Sequence, residues 1–184
     1  MTPIVHNFSS LAGTLNHWVF SDTKEMFDQN CADPIKRASL EQLGYLTQSI
    51  VYRFNSHGFR GAEFSEKVNI VAFGCSFTMG SGILEEQTWP SQLSQMSGLS
   101  VVNLGHAGSS NDTSLRFADY YLPKLSPQYA VWVQTDSHRI ELIDQSCNRA
   151  VNLHHSLEDN LCKNDYFVKV WFSSFENHRL KIGR

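Results

Sequence analysis

"VAFGCSFTMGSG", residues 71–82, joins an apolar run to a Gly-Cys-Ser corner and then places further glycines at 80 and 82. The apolar run reads as a buried strand. Glycines directly after a strand either punctuate a turn or let another group approach the backbone closely. Ser76 is therefore either a nucleophile presented on a tight turn or an ordinary residue in a glycine-rich exit. What else reaches the same end of the sheet decides between the two.

Working outward, the apolar runs "VNIVAF" (68–73), "VVNL" (101–104) and "AVWVQ" (130–134) recur at the spacing of a βαβ unit, about 30 residues. They predict three parallel strands joined by crossover helices. The first helix, in "TWPSQLSQM", puts Trp89, Leu93 and Met96 on one face, with Thr88 as N-cap and Pro90 in the first turn. The second, in "SNDTSLRFADYYLPKL", carries a stripe of Leu115, Ala118, Leu122 and Leu125, with Asn111 or Asp112 as cap. Upstream, Asp33-Pro34 opens an amphipathic helix running to Leu46, "SIVYRFN" alternates as a strand, and "NSHGFRG" (55–61) turns. Downstream, residues 135–160 read as polar and irregular, with Arg139 and Glu141 as an ion pair. Residues 166–182 read as a helix bearing Phe167, Val170, Trp171 and Phe175. Trp132, Trp171 and the phenylalanines at 167, 172 and 175 read as core.

The chain has 184 residues, 41% of them hydrophobic, which suits one compact domain. Residues 1–66 form an N-terminal helix and strand extension packed on an α/β core spanning 67–184. A net charge of -3 without a basic stripe argues against nucleic acid as a partner. No signal-like start and no apolar window of membrane length occur, so the expected location is cytoplasmic, without membrane contact. The four cysteines (31, 75, 147 and 162) form no Cys-x-x-Cys pair, predicting reduced thiols and no metal site. "GCSFTMGSG" matches neither glycine-rich nucleotide pattern, so no nucleotide and no other cofactor is expected.

In open α/β sheets, ligands bind at the carboxyl ends of the strands. There the chain carries Gly74-Cys75-Ser76-Phe77-Thr78-Met79-Gly80, then Gly105-His106-Ala107-Gly108, then Thr135-Asp136-Ser137-His138. These blocks resemble the SGNH, or GDSL-type, hydrolases, a flavodoxin-like α/β group of esterases, lipases and carbohydrate deacetylases. The family's Gly-Asp-Ser block is matched by Gly74, Ser76, Thr78 and Gly80, with Cys75 in place of the Asp. Its second block is matched by Asn103, Gly105 and Gly108. "NSHGFRG" is similar to a segment of some phage-associated and marine bacterial members. The resemblance spans about residues 50–145.

The resemblance implies a three-layer, doubly wound parallel sheet. It makes Ser76 the nucleophile and assigns the oxyanion to the backbone N–H groups of Ser76 and Gly108, with a side-chain amide, for which Asn111 is the candidate. Gly74, Thr78, His106, Asp136 and His138 would surround a small-molecule or carbohydrate ester, and no cofactor is implied. The family's third block, Gly-x-Asn-Asp, is replaced by "QTDSH", and its Asp-x-x-His, which supplies the base, is absent. His106 and His138 are the strand-end candidates for that base, while His154, His155 and His178 have no assigned place.

The chain ends about where the family's last strand and His-bearing loop would begin. A shortened relative, a fragment and an assembly completed by a neighbouring chain all stay open, and an uncovered sheet edge predicts self-association. The alternative to a serine esterase is a catalytically inactive module of the same fold that serves binding or virion assembly.

Overall fold

The computed structural model describes residues 11–18, 23–144 and 149–153. Strand β1 (Leu15–His17) pairs antiparallel with β2 (Val51–Arg53). Between them lie α1 (Lys24–Ala32) and α2 (Pro34–Gln42). Asp33 ends α1 and starts α2, its carboxylate accepting the amides of Ile35 at 2.9 Å and Lys36 at 3.2 Å. The sequence signals the second helix through Asp-Pro, whereas α1 has no buried residue and no apolar stripe to reveal it. After β2, the side chain of Asn55 accepts from the amides of His57 and Phe59, closing the expected turn.

The central strand is β3 (Ile70–Phe73), buried along its whole length. A four-residue helical turn, α3 (Ser76–Met79), follows, then α4 (Trp89–Ser97), β4 (Val101–Asn103), α5 (Asn111–Leu125) and β5 (Tyr129–Trp132). Both β4 and β5 pair parallel with β3, in the order β4-β3-β5, with Ile70 facing Val101 on one side and Tyr129 on the other. The fold is thus α/β with a parallel sheet, and the loops after Phe73, Asn103 and Trp132 leave the same edge of that sheet.

One hydrophobic cluster joins Val71 and Phe73 of β3 and Val102 of β4 to Phe117, Ala118 and Tyr121 of α5. Phe59 from the turn region enters it edge-on, 5.2 Å from Phe117 and 5.4 Å from Tyr121 between ring centroids. A second cluster gathers Ile50, Tyr52 and Phe54 with Met79 of α3. Segments before residue 67 therefore contribute to the packing around β3 and to the underside of the Ser76 turn.

Six expectations are corrected. The buried face of α5 is Thr113, Ser114, Phe117, Ala118 and Tyr121, while Leu115 is exposed; two aromatic rings bury more area than the leucine stripe and set the rotation. Met96 is likewise exposed, although Thr88 caps α4 as expected. The cap of α5 is Ser110, whose hydroxyl accepts the Thr113 amide at 3.2 Å, in place of Asn111 or Asp112. Trp132 is 39% exposed, because β5 has a neighbour on one side only among the described residues.

Finally, the polar region after β5 contains an antiparallel ribbon of β6 (Ile140–Asp144) and β7 (Arg149–Leu153). Glu141 of this ribbon pairs with Arg116 of α5, in a bidentate contact at 2.7 Å, where an Arg139 pair was expected. Thr113 donates to the same carboxylate at 2.7 Å, and Asp112 accepts the Glu141 amide. The expected helix at 166–182, its aromatic residues, and Cys147, Cys162, His154, His155 and His178 lie outside the described residues. Among the described residues, no helix is long and apolar enough to cross a membrane.

The Arg116–Glu141 pair is nearly enclosed, with side-chain exposures of 14% and 3%. Removing one partner of such a pair strands the other charge. Arg116→Met, which leaves the buried Glu141 carboxylate without its guanidinium, should therefore lower stability to chemical denaturation by about 3 kcal/mol, and the Arg116→Met, Glu141→Leu double variant by much less. Equal losses in the two proteins would show that the ribbon is not held by this charge pair.

Candidate active site

The edge defined by the three parallel strands carries Ser76 after β3, the Gly105–Asn111 loop after β4 and the Val133–Arg139 loop after β5. Cys75 precedes α3 in an extended conformation and provides no side-chain cap. Its carbonyl accepts the amides of Thr78 and Met79. Among the described residues the amides of Ser76 and Phe77 have no acceptor, nor does that of Gly108. Ser76 is half-buried, and its hydroxyl has no hydrogen bond among the described residues. Phe77 beside it is exposed.

The Ser76 turn and the β4 exit are locked together. The Asn103 amide donates to the Thr78 carbonyl at 2.8 Å and its oxygen accepts the Gly105 amide at 2.9 Å. At Gly105 a Cβ would lie 2.6 Å from both the Met79 nitrogen and the Thr78 Cβ, so only glycine fits. Gly108 has φ of 76°, the left-handed region that glycine enters without strain. Gly105→Ala should therefore lower the melting temperature by more than about 5 °C, since backbone must move. An unchanged thermal transition would mean that the two loops separate at little cost.

The residues singled out from the sequence occupy distinct layers. Gly74 and Thr78 are buried beneath the turn, and the Thr78 hydroxyl accepts from the Trp89 indole at 3.3 Å. His106 is buried, with Nδ1 2.8 Å from the Ala107 carbonyl. Donation from Nδ1 places the lone pair of a neutral ring on Nε2. Asn111 neither caps α5 nor stands apart: its oxygen accepts the Thr135 amide at 2.9 Å and its amide donates to the Thr135 carbonyl at 3.2 Å. It ties the β5 exit loop to the start of α5.

Asp136 and His138 are brought together on that loop. One Asp136 oxygen accepts the His138 amide at 3.0 Å and lies 2.6 Å from His138 Nδ1. Both side chains are more than half exposed. The His138 amide, followed by its ring, holds the Asp136 carboxyl below the usual carboxylate range. With Nδ1–H directed at Asp136, a neutral His138 ring carries its lone pair on Nε2. The Asp-x-His spacing was the readable signal, because a side chain at i reaches the N–H at i+2 in an Asx turn.

A cavity of about 400 Å³ lies elsewhere, between α4, β4 and residues 60–65, and Ser76, Gly108 and His138 do not line it. Among the described residues, no cluster of three or more His, Cys, Asp or Glu could hold a metal ion.

No protein-family model matches the chain, and no curated protein does. Among solved structures, the chain is similar to AlinE4, an SGNH-hydrolase family esterase, at 24% identity and a TM-score of 0.32. Two mutants of that esterase match at 22% and 24% identity with the same score. The overlap covers 39% of this chain and 42% of AlinE4, and so spans less than half of either protein.

Proposed function

We propose that the protein is a serine ester hydrolase of the SGNH type, built on a flavodoxin-like, doubly wound three-layer sheet. Its proposed substrate is an acyl ester such as an acetyl group on a carbohydrate. The observation that carries this reading is the Asp136–His138 pair on the loop leaving β5, the strand hydrogen-bonded to β3, whose exit bears Ser76. An Asp–His pair on the loop after the strand adjacent to the one that delivers Ser76 offers the two parts that the missing Asp-x-x-His would have supplied.

In this mechanism the Ser76 oxygen attacks the acyl carbon while its proton passes to His138 Nε2. The carbonyl electrons move onto oxygen, which the amides of Ser76 and Gly108 stabilise. Collapse of the tetrahedral species expels the alcohol, which takes the proton from His138. A water, deprotonated by the same nitrogen, then attacks the acyl-serine, and as the acid leaves the imidazolium returns that proton to the Ser76 oxygen. Asp136 holds the ring orientation and stabilises the imidazolium.

One observation favours a second reading, a catalytically inactive module of this fold: the Asn111 amide is engaged by the Thr135 main chain. Turnover of p-nitrophenyl acetate, with a fluorophosphonate to label the nucleophile, separates the two. Adduct mass on the peptide containing Ser76, with loss of turnover, supports the esterase; an unlabelled protein with no turnover supports the module.

A further inference from the structure

Helix α3 is a single turn, and such a short element leaves its carbonyls without internal partners. Arg60 meets that need at Met79 and reaches on to two carbonyls of the segment that follows. Its Nη1 donates to the Met79 carbonyl at 3.3 Å and to the Gly80 carbonyl, and its Nη2 donates to the Ile83 carbonyl at 2.8 Å. The side chain is buried, at 3% exposure, and its guanidinium lies 4.3 Å from the centre of the Tyr52 ring. The Tyr52 hydroxyl in turn accepts the Gly82 amide at 2.6 Å. Residues 79–83 are thus held from below by side chains that precede β3.

Burial opposes the charge on this guanidinium, and no carboxylate forms an ion pair with it among the described residues. A buried cation satisfied mainly by carbonyls is a costly way to gain stability, which an apolar side chain could supply. What the planar fork supplies is geometry, because it spans several carbonyls at once where a lysine is a point donor. Among the residues it holds is Gly80, whose amide donates to the Ser76 carbonyl at 2.8 Å, and it brackets Ser81, whose amide donates to the same carbonyl at 2.9 Å.

We infer that Arg60 is a positioning residue for Ser76, fixing the turn that presents the hydroxyl; this rests on the esterase reading. The test compares wild type with Arg60→Lys and Arg60→Met, well below each melting temperature. It reads kcat and KM for p-nitrophenyl acetate and hydrogen exchange at the Gly80 and Ser81 amides. Misplacing a catalytic group by about 1 Å costs on the order of 10²-fold, so kcat should fall about 10- to 100-fold with KM nearly unchanged.

Exchange at Gly80 and Ser81 should rise about tenfold or more, while Val71 and Ala72 in β3 stay protected. A folded variant with kcat within twofold of wild type, or with unchanged exchange at both amides, overturns the inference. Should Arg60→Met fail to fold, Arg60→Lys decides by the same criteria. If wild type lacks Ser76-dependent turnover, the esterase reading fails by itself, and the exchange measurement still decides whether Arg60 holds the turn.

Discussion

Ser76→Ala should lower kcat/KM for p-nitrophenyl acetate by at least about 10³-fold and leave the melting temperature within about 2 °C of wild type. The two halves of this result have separate physical causes. The hydroxyl has no hydrogen bond among the described residues, so removing it strands no partner. The Ser76 carbonyl, which accepts from Gly80 and Ser81, belongs to the main chain and survives the substitution, and alanine is at home in a helical turn. Stability should therefore hold while the nucleophile is gone. Rates for the two proteins that agree within twofold would remove Ser76 from the chemistry, and a large drop in melting temperature would recast it as a structural residue.

The parts of the fold that sequence made legible share one property: their signals are local. The apolar runs ending at Phe73, Leu104 and Gln134 locate the three parallel strands to within two residues at their ends. Asp33-Pro34 and Thr88 identify helix starts because their side chains act within three residues. Long-range choices were not legible. Whether Leu115 or Tyr121 faces the core depends on Phe59, which lies more than fifty residues away.

Glu141 has an arginine two residues before it in the chain, yet it pairs with Arg116 across the packing of α5 on the ribbon. The ribbon itself hides behind polar residues, since β6 and β7 are specified by pairing with each other and by docking on α5. At the site, the glycines at 105 and 108 announce close approach. The burial of Arg60 and the engagement of Asn111 with Thr135 follow only from the fold.

His138→Ala should lower kcat by 10²- to 10⁴-fold, the usual contribution of a positioned general base, and added imidazole should restore part of the loss. Asp136→Asn should cost less, about tenfold, because both side chains are more than half exposed and water weakens their interaction. The acid side of the pH profile discriminates further. A carboxyl held below its ordinary value contributes order that is fully present above the unfolded value of 3.8 and is lost as pH falls through the lower folded one. Asp136 therefore stays ionised from pH 5 to 8, and any fall in wild-type kcat within that window belongs to another group. If that group is His138, the acid limb vanishes in the residual activity of His138→Ala. His106 provides the counter-test, since its Nδ1 is committed to the Ala107 carbonyl and its Nε2 is the alternative base. A His138→Ala protein with kcat within threefold of wild type, alongside an inactive but folded His106→Gln protein, would move the base to the β4 loop and leave Asp136–His138 as a loop-ordering turn.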